Sequence, residues 1–288
     1  MPRYKNHIIL CIFILFHAIS IVFLSAQEEN NKKDSIPDSS TLHLYSDEKT
    51  PLPEISLNIG YTHSVKQKKN IFNSPYSGFI IPTALITYGV VAQFDNDLRR
   101  FDLSLRREVV NHKVKINLMD DYTQFAPVVL IYGLDAFGVK AKHDFIDHTI
   151  ILASSYLITA GITQVVKRAT HVERPNGSAY TSFPSGHTAT VFVGAHILFK
   201  EYKDVSPWIG IAGYALAANT GILRVMNNRH WFSDVVAGAG VGILSAELGY
   251  LLLPVVKKLT GKKNRSTNLT FSPILGNNHY EIGLGYSF

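Results

Sequence analysis

The stretch SFPSGHTATVFVGAHILF, Ser182–Phe199, places a helix-start signal directly ahead of an apolar run. Pro184 cannot lie inside a helix, whereas Ser185 is a favourable N-cap for a helix that begins near Gly186. The first residues of a helix present unpaired backbone N–H groups and a partial positive charge, which attract anions. Gly186 lets an anion approach the backbone closely, and His187 stands next to it. The stretch therefore predicts an anion site at the start of a helix.

Six apolar segments follow one another through the middle of the chain. A membrane crossing needs roughly 17 to 25 mostly apolar residues, and the third, fifth and sixth segments meet that length. The second carries Asp135 and the short fourth carries His196, so these two also suit buried helices of a soluble bundle. We expect both polar side chains to have partners within the bundle. The sequence predicts an all-α, membrane-embedded six-helix bundle. The segments are residues 79–94, 125–139, 146–166, 188–199, 207–226 and 235–256.

The two ends of the chain differ from this core. Residues 1–26 carry an early positive charge, an apolar stretch and a small residue for cleavage, which predicts a signal peptide or an anchor. Residues 27–75 form a polar linker with one short strand, the core covers 76–258, and 259–288 form a tail with a hairpin. The one cysteine, Cys11, lies within residues 1–26, so a chain from which this signal is cleaved has no thiol for disulfides or metal ligation.

The basic residues indicate a membrane partner. The net charge is +6, and lysine and arginine are scattered through several loops, which disfavours a nucleic-acid-binding surface. Attraction to anionic lipid or to phosphate accounts for the charge equally well. We therefore expect membrane and phosphorylated lipid as partners, no nucleic acid, and no required protein partner.

Charged residues border the apolar segments in three clusters. Lys167 follows the third segment, and Arg174 lies seven residues further on. The fifth segment is followed by RVMNNRHWFSD, which contains Arg224, His230 and Asp234. A carboxylate four residues from a histidine can hold one ring nitrogen and leave the other free to attack or to accept a proton. Guanidinium groups make forked contacts with phosphoryl oxygens, so one pocket at the end of a bundle can gather these groups around a phosphate.

The order and spacing of these clusters resemble the type 2 phosphatidic acid phosphatase superfamily, which includes bacterial class A acid phosphatases and vanadium haloperoxidases. The pattern there is Lys-x6-Arg-Pro, then Pro-Ser-Gly-His, then Ser-Arg-x5-His-x3-Asp. The first two motifs are complete here, and the third departs only at Leu223, which stands where the family usually has serine. The six apolar segments are similar to the six-helix core of the family.

The resemblance implies a role for each matched residue. His230 attacks phosphorus and becomes a phosphohistidine, with Asp234 supporting its charge. His187 protonates the leaving oxygen and then deprotonates the attacking water. Neither a metal nor another cofactor is needed. The phosphate oxygens are held by Lys167, Arg174, Arg224 and the backbone around Ser185 and Gly186.

The predicted function is hydrolysis of a phosphomonoester or pyrophosphate, with a lipid as the favoured substrate. Candidates are phosphatidic acid, phosphatidylglycerophosphate, polyprenyl diphosphate and lipid A phosphate. The alternatives are a soluble periplasmic acid phosphatase, a vanadate-dependent haloperoxidase and a non-enzymatic protein that binds phosphate headgroups. We expect a bacterial cell-envelope protein in the inner membrane with its site facing the periplasm. An odd number of crossings after a signal would instead turn the site to the cytoplasm. Either one early segment does not cross, or the bundle is soluble or peripheral in the periplasm, or the pocket faces inward.

Overall fold

The computed structural model describes residues 77–112 and 119–260, together with the backbone of 268–275 and 280–287. A 3-10 turn, Ser77–Phe79, precedes eight α-helices in this part of the chain. The helices are α1 Ile80–Val91, α2 Asn96–Asn111, α3 Met119–Thr123, α4 Ala126–Ala136, α5 Phe145–Thr170, α6 Gly186–Tyr202, α7 Pro207–Met226 and α8 Phe232–Leu259.

All six apolar segments are helical, as α1, α4, α5, α6, α7 and α8. The three segments predicted to span a membrane, now α5, α7 and α8, have the length and apolar composition to do so. The sequence pattern did not predict α2 and α3, which lie between the first two segments. The axis of α2 turns by 87° from that of α1, so the two helices meet at a sharp bend.

The C-terminal tail forms a two-stranded antiparallel hairpin, with β1 at Asn268–Leu275 and β2 at Tyr280–Ser287. Asn268 lies opposite Ser287 and Leu275 lies opposite Tyr280, so the strands pair along their whole length. The predicted signal segment and linker, with the strand inside the linker, lie outside the described residues.

Helix α8 occupies the centre of the bundle and packs closely against its neighbours through glycine. A Cβ at Gly238 would lie 2.5 Å from the carbonyl oxygen of Ser185, and one at Gly242 would meet the carbonyl oxygen of Ala189. Small residues four apart let two helix backbones approach closely, which is a common packing mode in membrane bundles. This close contact between α6 and α8 fixes the start of α6 against the start of α8.

His196 and Asp135 have polar partners within the bundle, as predicted. The ring of His196 contacts the Tyr214 hydroxyl at 2.5 Å and the Glu247 carboxylate at 2.7 Å. Tyr202 donates its hydroxyl hydrogen to Asp135 at 2.7 Å. Buried polar groups are tolerated when paired in this way, so these contacts join α4, α6, α7 and α8. An apolar cluster surrounds them, and its buried members include Ile131, Ile151, Leu152, Val193, Ile197 and Leu198.

The packing of α8 gives a first prediction. Gly242→Ala inserts a methyl group against the α6 backbone, so we expect overpacking to cost about 1 to 3 kcal/mol and to lower Tm. Gly161→Ala is the matched control, because a Cβ there meets nothing within 4 Å. Thermal unfolding in detergent should show a lower Tm for Gly242→Ala and an unchanged or slightly higher Tm for Gly161→Ala. Equal Tm values for the two variants would contradict the close packing.

Candidate active site

The three charged clusters of the sequence meet at one end of the bundle. Lys167, near the end of α5, donates from Nζ to the carbonyl oxygen of Thr181 at 2.6 Å. The backbone N–H of Ser185 donates to the carbonyl oxygen of Asp234 at 3.0 Å, which joins the starts of α6 and α8. An added Cβ at Gly186 would lie 3.9 Å from Cε of Lys167. These contacts bring the end of α5 to the starts of α6 and α8.

His230 and Asp234 lie together in the interior of this end. Nδ1 of His230 is 3.6 Å from Oδ2 of Asp234, which is a close electrostatic contact but longer than a hydrogen bond. His230 precedes α8 and Asp234 lies in its first turn, so the histidine is not part of the helix that carries the carboxylate. Both side chains are buried, His230 at 2% exposure and Asp234 at 0%.

Burial lowers the pKa of His230 to about 4, although the Asp234 carboxylate opposes this shift. Lys167 and Arg224 act in the same direction as burial, because their positive charges disfavour a second cation nearby. The imidazole is therefore neutral at pH 7. Because Nδ1 lies on the side of the carboxylate, Nε2 is the ring nitrogen left to act as a nucleophile or base.

Asp234 is held by groups on both sides of the site. Its Oδ2 accepts hydrogen bonds from the Ser182 hydroxyl at 2.5 Å and from the Trp231 backbone N–H at 2.9 Å. The second bond caps the start of α8. These two hydrogen bonds fix the carboxylate beside His230.

The start of α6 agrees with the prediction in position but not in its capping bond. Ser185 is the N-cap residue and Gly186 the first helical residue, yet the Ser185 side chain makes no capping hydrogen bond. Its hydroxyl instead pairs with the Thr188 hydroxyl at 2.8 Å. Because the Ser185 hydroxyl pairs with the Thr188 hydroxyl, it does not accept a hydrogen bond from the first backbone N–H groups of α6.

Positive charge converges from two further elements. Arg224 is 6% exposed, and its Nη1 donates to Asp120 Oδ2 at 2.6 Å. Burial, followed by the positive charges of Arg224 and Arg229, lowers the pKa of Arg174. Nε of Arg174 and Nε of Arg224 are buried, and neither has a hydrogen-bond partner among the described residues. Buried guanidinium donors of this kind suit an anion with several oxygens.

Two acidic residues of the site were not predicted. Asp120 and Asp121 lie in the short helix α3, and Asp121 Oδ1 is 2.9 Å from Nε2 of His187. Asp121 also lies 3.5 Å from Nη1 of Arg224. Burial and the charge of Arg224 lower the pKa of His187, whereas the Asp121 carboxylate opposes the shift. The sequence offered one signal only, namely that α3 lies between the first two apolar segments, on the same side as the clusters.

The arrangement is suited to a phosphate group. A neutral imidazole lies beside a fixed carboxylate, three cations surround it, and a helix begins next to it. A second histidine, His187, stands at that helix start with its own carboxylate. Such a set can bind a tetrahedral anion, attack its central atom and move a proton.

Comparisons with known proteins indicate the family. Residues 148–258 match the family model described as PAP2 superfamily. A lipid A 1-phosphatase of Porphyromonas gingivalis is 35% identical over 199 residues, which are 69% of this chain and 42% of that protein. A lipid A 1-phosphatase of Rhizobium johnstonii is 41% identical over 68 residues, which are 23% of this chain and 25% of that protein. The chain therefore spans less than half the length of either relative.

Among solved structures, a transmembrane PAP2 type phosphatidylglycerolphosphate phosphatase of Bacillus subtilis is similar at 18% identity and a TM-score of 0.44. The match covers 64% of this chain and 99% of that one. The fold and the clusters define a helical bundle with a cationic site at one end. Residues 148–258 belong to the PAP2 superfamily, the type 2 phosphatidic acid phosphatases, so the predicted family is confirmed. With three membrane-length helices, this assignment supports a membrane protein.

Proposed function

We propose that this protein is a lipid phosphatase that works through a phosphohistidine on His230. The observation that carries the proposal is a buried, neutral imidazole held beside a carboxylate and surrounded by cations. An uncharged ring nitrogen has the lone pair that attack on phosphorus requires. The family of residues 148–258 supports phosphate chemistry at this site.

In the first step, Nε2 of His230 attacks the phosphorus atom of a bound phosphomonoester. The N–P bond forms as the bond between phosphorus and the lipid oxygen breaks, and His187 donates a proton to that leaving oxygen. The imidazole gains positive charge, which the Asp234 carboxylate stabilises from the Nδ1 side. The products are the lipid alcohol and a phosphohistidine.

In the second step, a water molecule releases the phosphate. His187, now neutral, takes a proton from water as the water oxygen attacks phosphorus. The N–P bond breaks, its electron pair returns to Nε2 of His230, and inorganic phosphate leaves. Both histidines regain their starting protonation states, so the cycle is balanced.

The surrounding charges act mainly on the transition state. Lys167, Arg174 and Arg224 lie where they can balance the negative charge on the phosphoryl oxygens. Asp120 holds Arg224 in position through its contact with Nη1. Asp121 favours the protonated form of His187, which is the form that a general acid needs.

A membrane lipid is the proposed substrate class. Helices α5, α7 and α8 have membrane length, and all three reach the site with one end. A pocket at the end of such helices meets lipid headgroups first. The two relatives are named lipid A 1-phosphatase, so a lipid A 1-phosphate is the first substrate to test, ahead of phosphatidic acid, phosphatidylglycerophosphate and polyprenyl diphosphate. We propose that the site faces the periplasm.

Phosphate release from these lipids in detergent micelles tests the proposal. His230→Ala removes the nucleophile and should reduce kcat by roughly a thousandfold or more. His187→Asn removes the general acid and should reduce kcat by about 10² to 10⁴. His112→Ala is the matched control, because His112 lies at the exposed end of α2. Full activity of His230→Ala would exclude the mechanism and favour a protein that binds phosphate headgroups.

The pKa shifts predict an acidic optimum for kcat/KM, which reports on the free enzyme. His230 must be neutral, so kcat/KM should rise as the pH increases through about 4. His187 must be protonated, so kcat/KM should fall again as the pH increases further. Because the pKa of His187 is lowered, this fall should begin below pH 6.5, the ordinary histidine value.

Asp121→Asn removes a charge that raises the pKa of His187, so the fall on the alkaline side should begin at lower pH than in the wild type. Glu108→Gln alters a carboxylate that pairs with His112 instead and should leave the profile unchanged. Ionisation of the substrate affects the pH profiles of the wild type and both variants equally. An alkaline limb that does not move in Asp121→Asn would contradict the role of Asp121.

A further inference from the structure

Helix α2 is fixed to the site, although none of its residues belongs to the site. The Asp102 carboxylate accepts hydrogen bonds from the Ser233 backbone N–H at 3.1 Å and from the Ser233 hydroxyl at 2.5 Å. The rings of Phe101 and Phe232 pack edge to face with their centroids 5.5 Å apart. Ser233 lies three residues after His230, so α2 is held against the start of α8, beside the predicted nucleophile.

One face of α2 combines arginine with aliphatic residues. Arg99, Leu103, Arg106 and Val110 recur at intervals of four and three, so their side chains lie along one stripe of the helix. Leu103 is 37% exposed and Val110 is 53% exposed. We call these four residues the Arg99–Val110 face. Exposed aliphatic side chains that alternate with arginine along a helix are typical of helices that lie in a membrane interface.

The two arginines of this face converge on Trp231. The Arg99 guanidinium lies 4.1 Å from the centre of the Trp231 ring, and that of Arg106 lies 5.9 Å from it. Neither guanidinium forms an ion pair with a carboxylate of the described residues. The Asp102 carboxylate acts on Arg99 from nearby, but its hydrogen bonds go to Ser233. Two like charges on one ring, with no closely paired carboxylate, favour an anion between or above them.

Another arginine of α2 differs from this pair. Arg100 pairs with Asp97 at 3.1 Å, and both side chains are largely exposed. It lies about 100° around the helix from Arg99, because each residue advances the helix by that angle. Arg100 is therefore a control of the same residue type on the same helix.

The bend between α1 and α2 suits an interfacial position. The two axes meet at 87°, so α2 lies parallel to a bilayer surface if α1 is aligned with the membrane-length helices. The Arg99–Val110 face is then at headgroup depth, where arginine meets lipid phosphates and aliphatic groups meet the upper acyl chains.

We propose that the Arg99–Val110 face binds the phosphate groups of anionic lipids in the bilayer and so holds the mouth of the site at the headgroup level. This surface is separate from the pocket around His230. The proposal therefore does not depend on hydrolysis by that pocket. In this proposal Trp231 has a structural role beneath the bound headgroups.

Tryptophan fluorescence of the full-length chain tests this surface directly. The chain has two tryptophans, so Trp208→Phe leaves Trp231 as the single fluorophore. This variant is reconstituted in phosphatidylcholine vesicles that contain a fixed share of phosphatidylglycerol, with bromine carried on the acyl chains of one lipid or the other. Bromine quenches at short range, so the ratio of the two quenching efficiencies reports which lipid lies next to Trp231.

We expect brominated phosphatidylglycerol to quench about twofold or more above brominated phosphatidylcholine, after correction for bromine content. The double variant Arg99→Gln/Arg106→Gln should bring the quenching ratio to one. The single variant Arg106→Gln should lower the ratio without affecting the fold, because Arg106 is exposed. Arg100→Gln should keep the full ratio. High salt should also reduce it. Equal quenching by both lipids in Trp208→Phe, or no quenching by either, would overturn the proposal. A loss of the quenching ratio in Arg100→Gln as large as that in Arg106→Gln would also overturn it.

Discussion

The arrangement of the site depends on the contacts of the Asp234 carboxylate. It is fully buried and accepts hydrogen bonds from the Ser182 hydroxyl and the Trp231 backbone N–H, while the carbonyl oxygen of the same residue accepts from Ser185. A buried negative charge is costly unless it is bonded and paired. The loop before α6 and the start of α8 supply partners for the carboxylate, the start of α6 bonds the backbone of the same residue, and the ring of His230 lies against the carboxylate.

The same carboxylate explains how several cations are tolerated together. Lys167, Arg174 and Arg224 would repel one another in a buried space without compensating negative charge. Asp234 acts on Lys167 and Arg174, and Asp120 pairs directly with Arg224. The site is thus a balanced set of charges at one end of the bundle. Glycines on α8 make this geometry possible, because they let the α6 backbone approach.

The sequence predicted the helical core, which depends on local patterns. Runs of apolar residues located six helices, and the motif spacing selected residues that the fold brings to one end. It did not predict Asp121, whose partner His187 is 66 residues away, because no local pattern encodes such a contact. The side chain of Ser185 differed from its expected capping role, since the Thr188 hydroxyl is its partner instead. Helix α2 was missed because its many charged residues mask its apolar stripe.

Direct detection of the covalent intermediate tests the central claim. Purified protein and a slowly hydrolysed lipid phosphate are mixed, quenched within one turnover into alkaline denaturant, which preserves the N–P bond, and digested for mass spectrometry. We predict that the peptide containing His230 gains the mass of one phosphoryl group, and that this form disappears as phosphate is released. Normal phosphate release with no phosphoryl group on His230 at any time within the turnover would contradict the account.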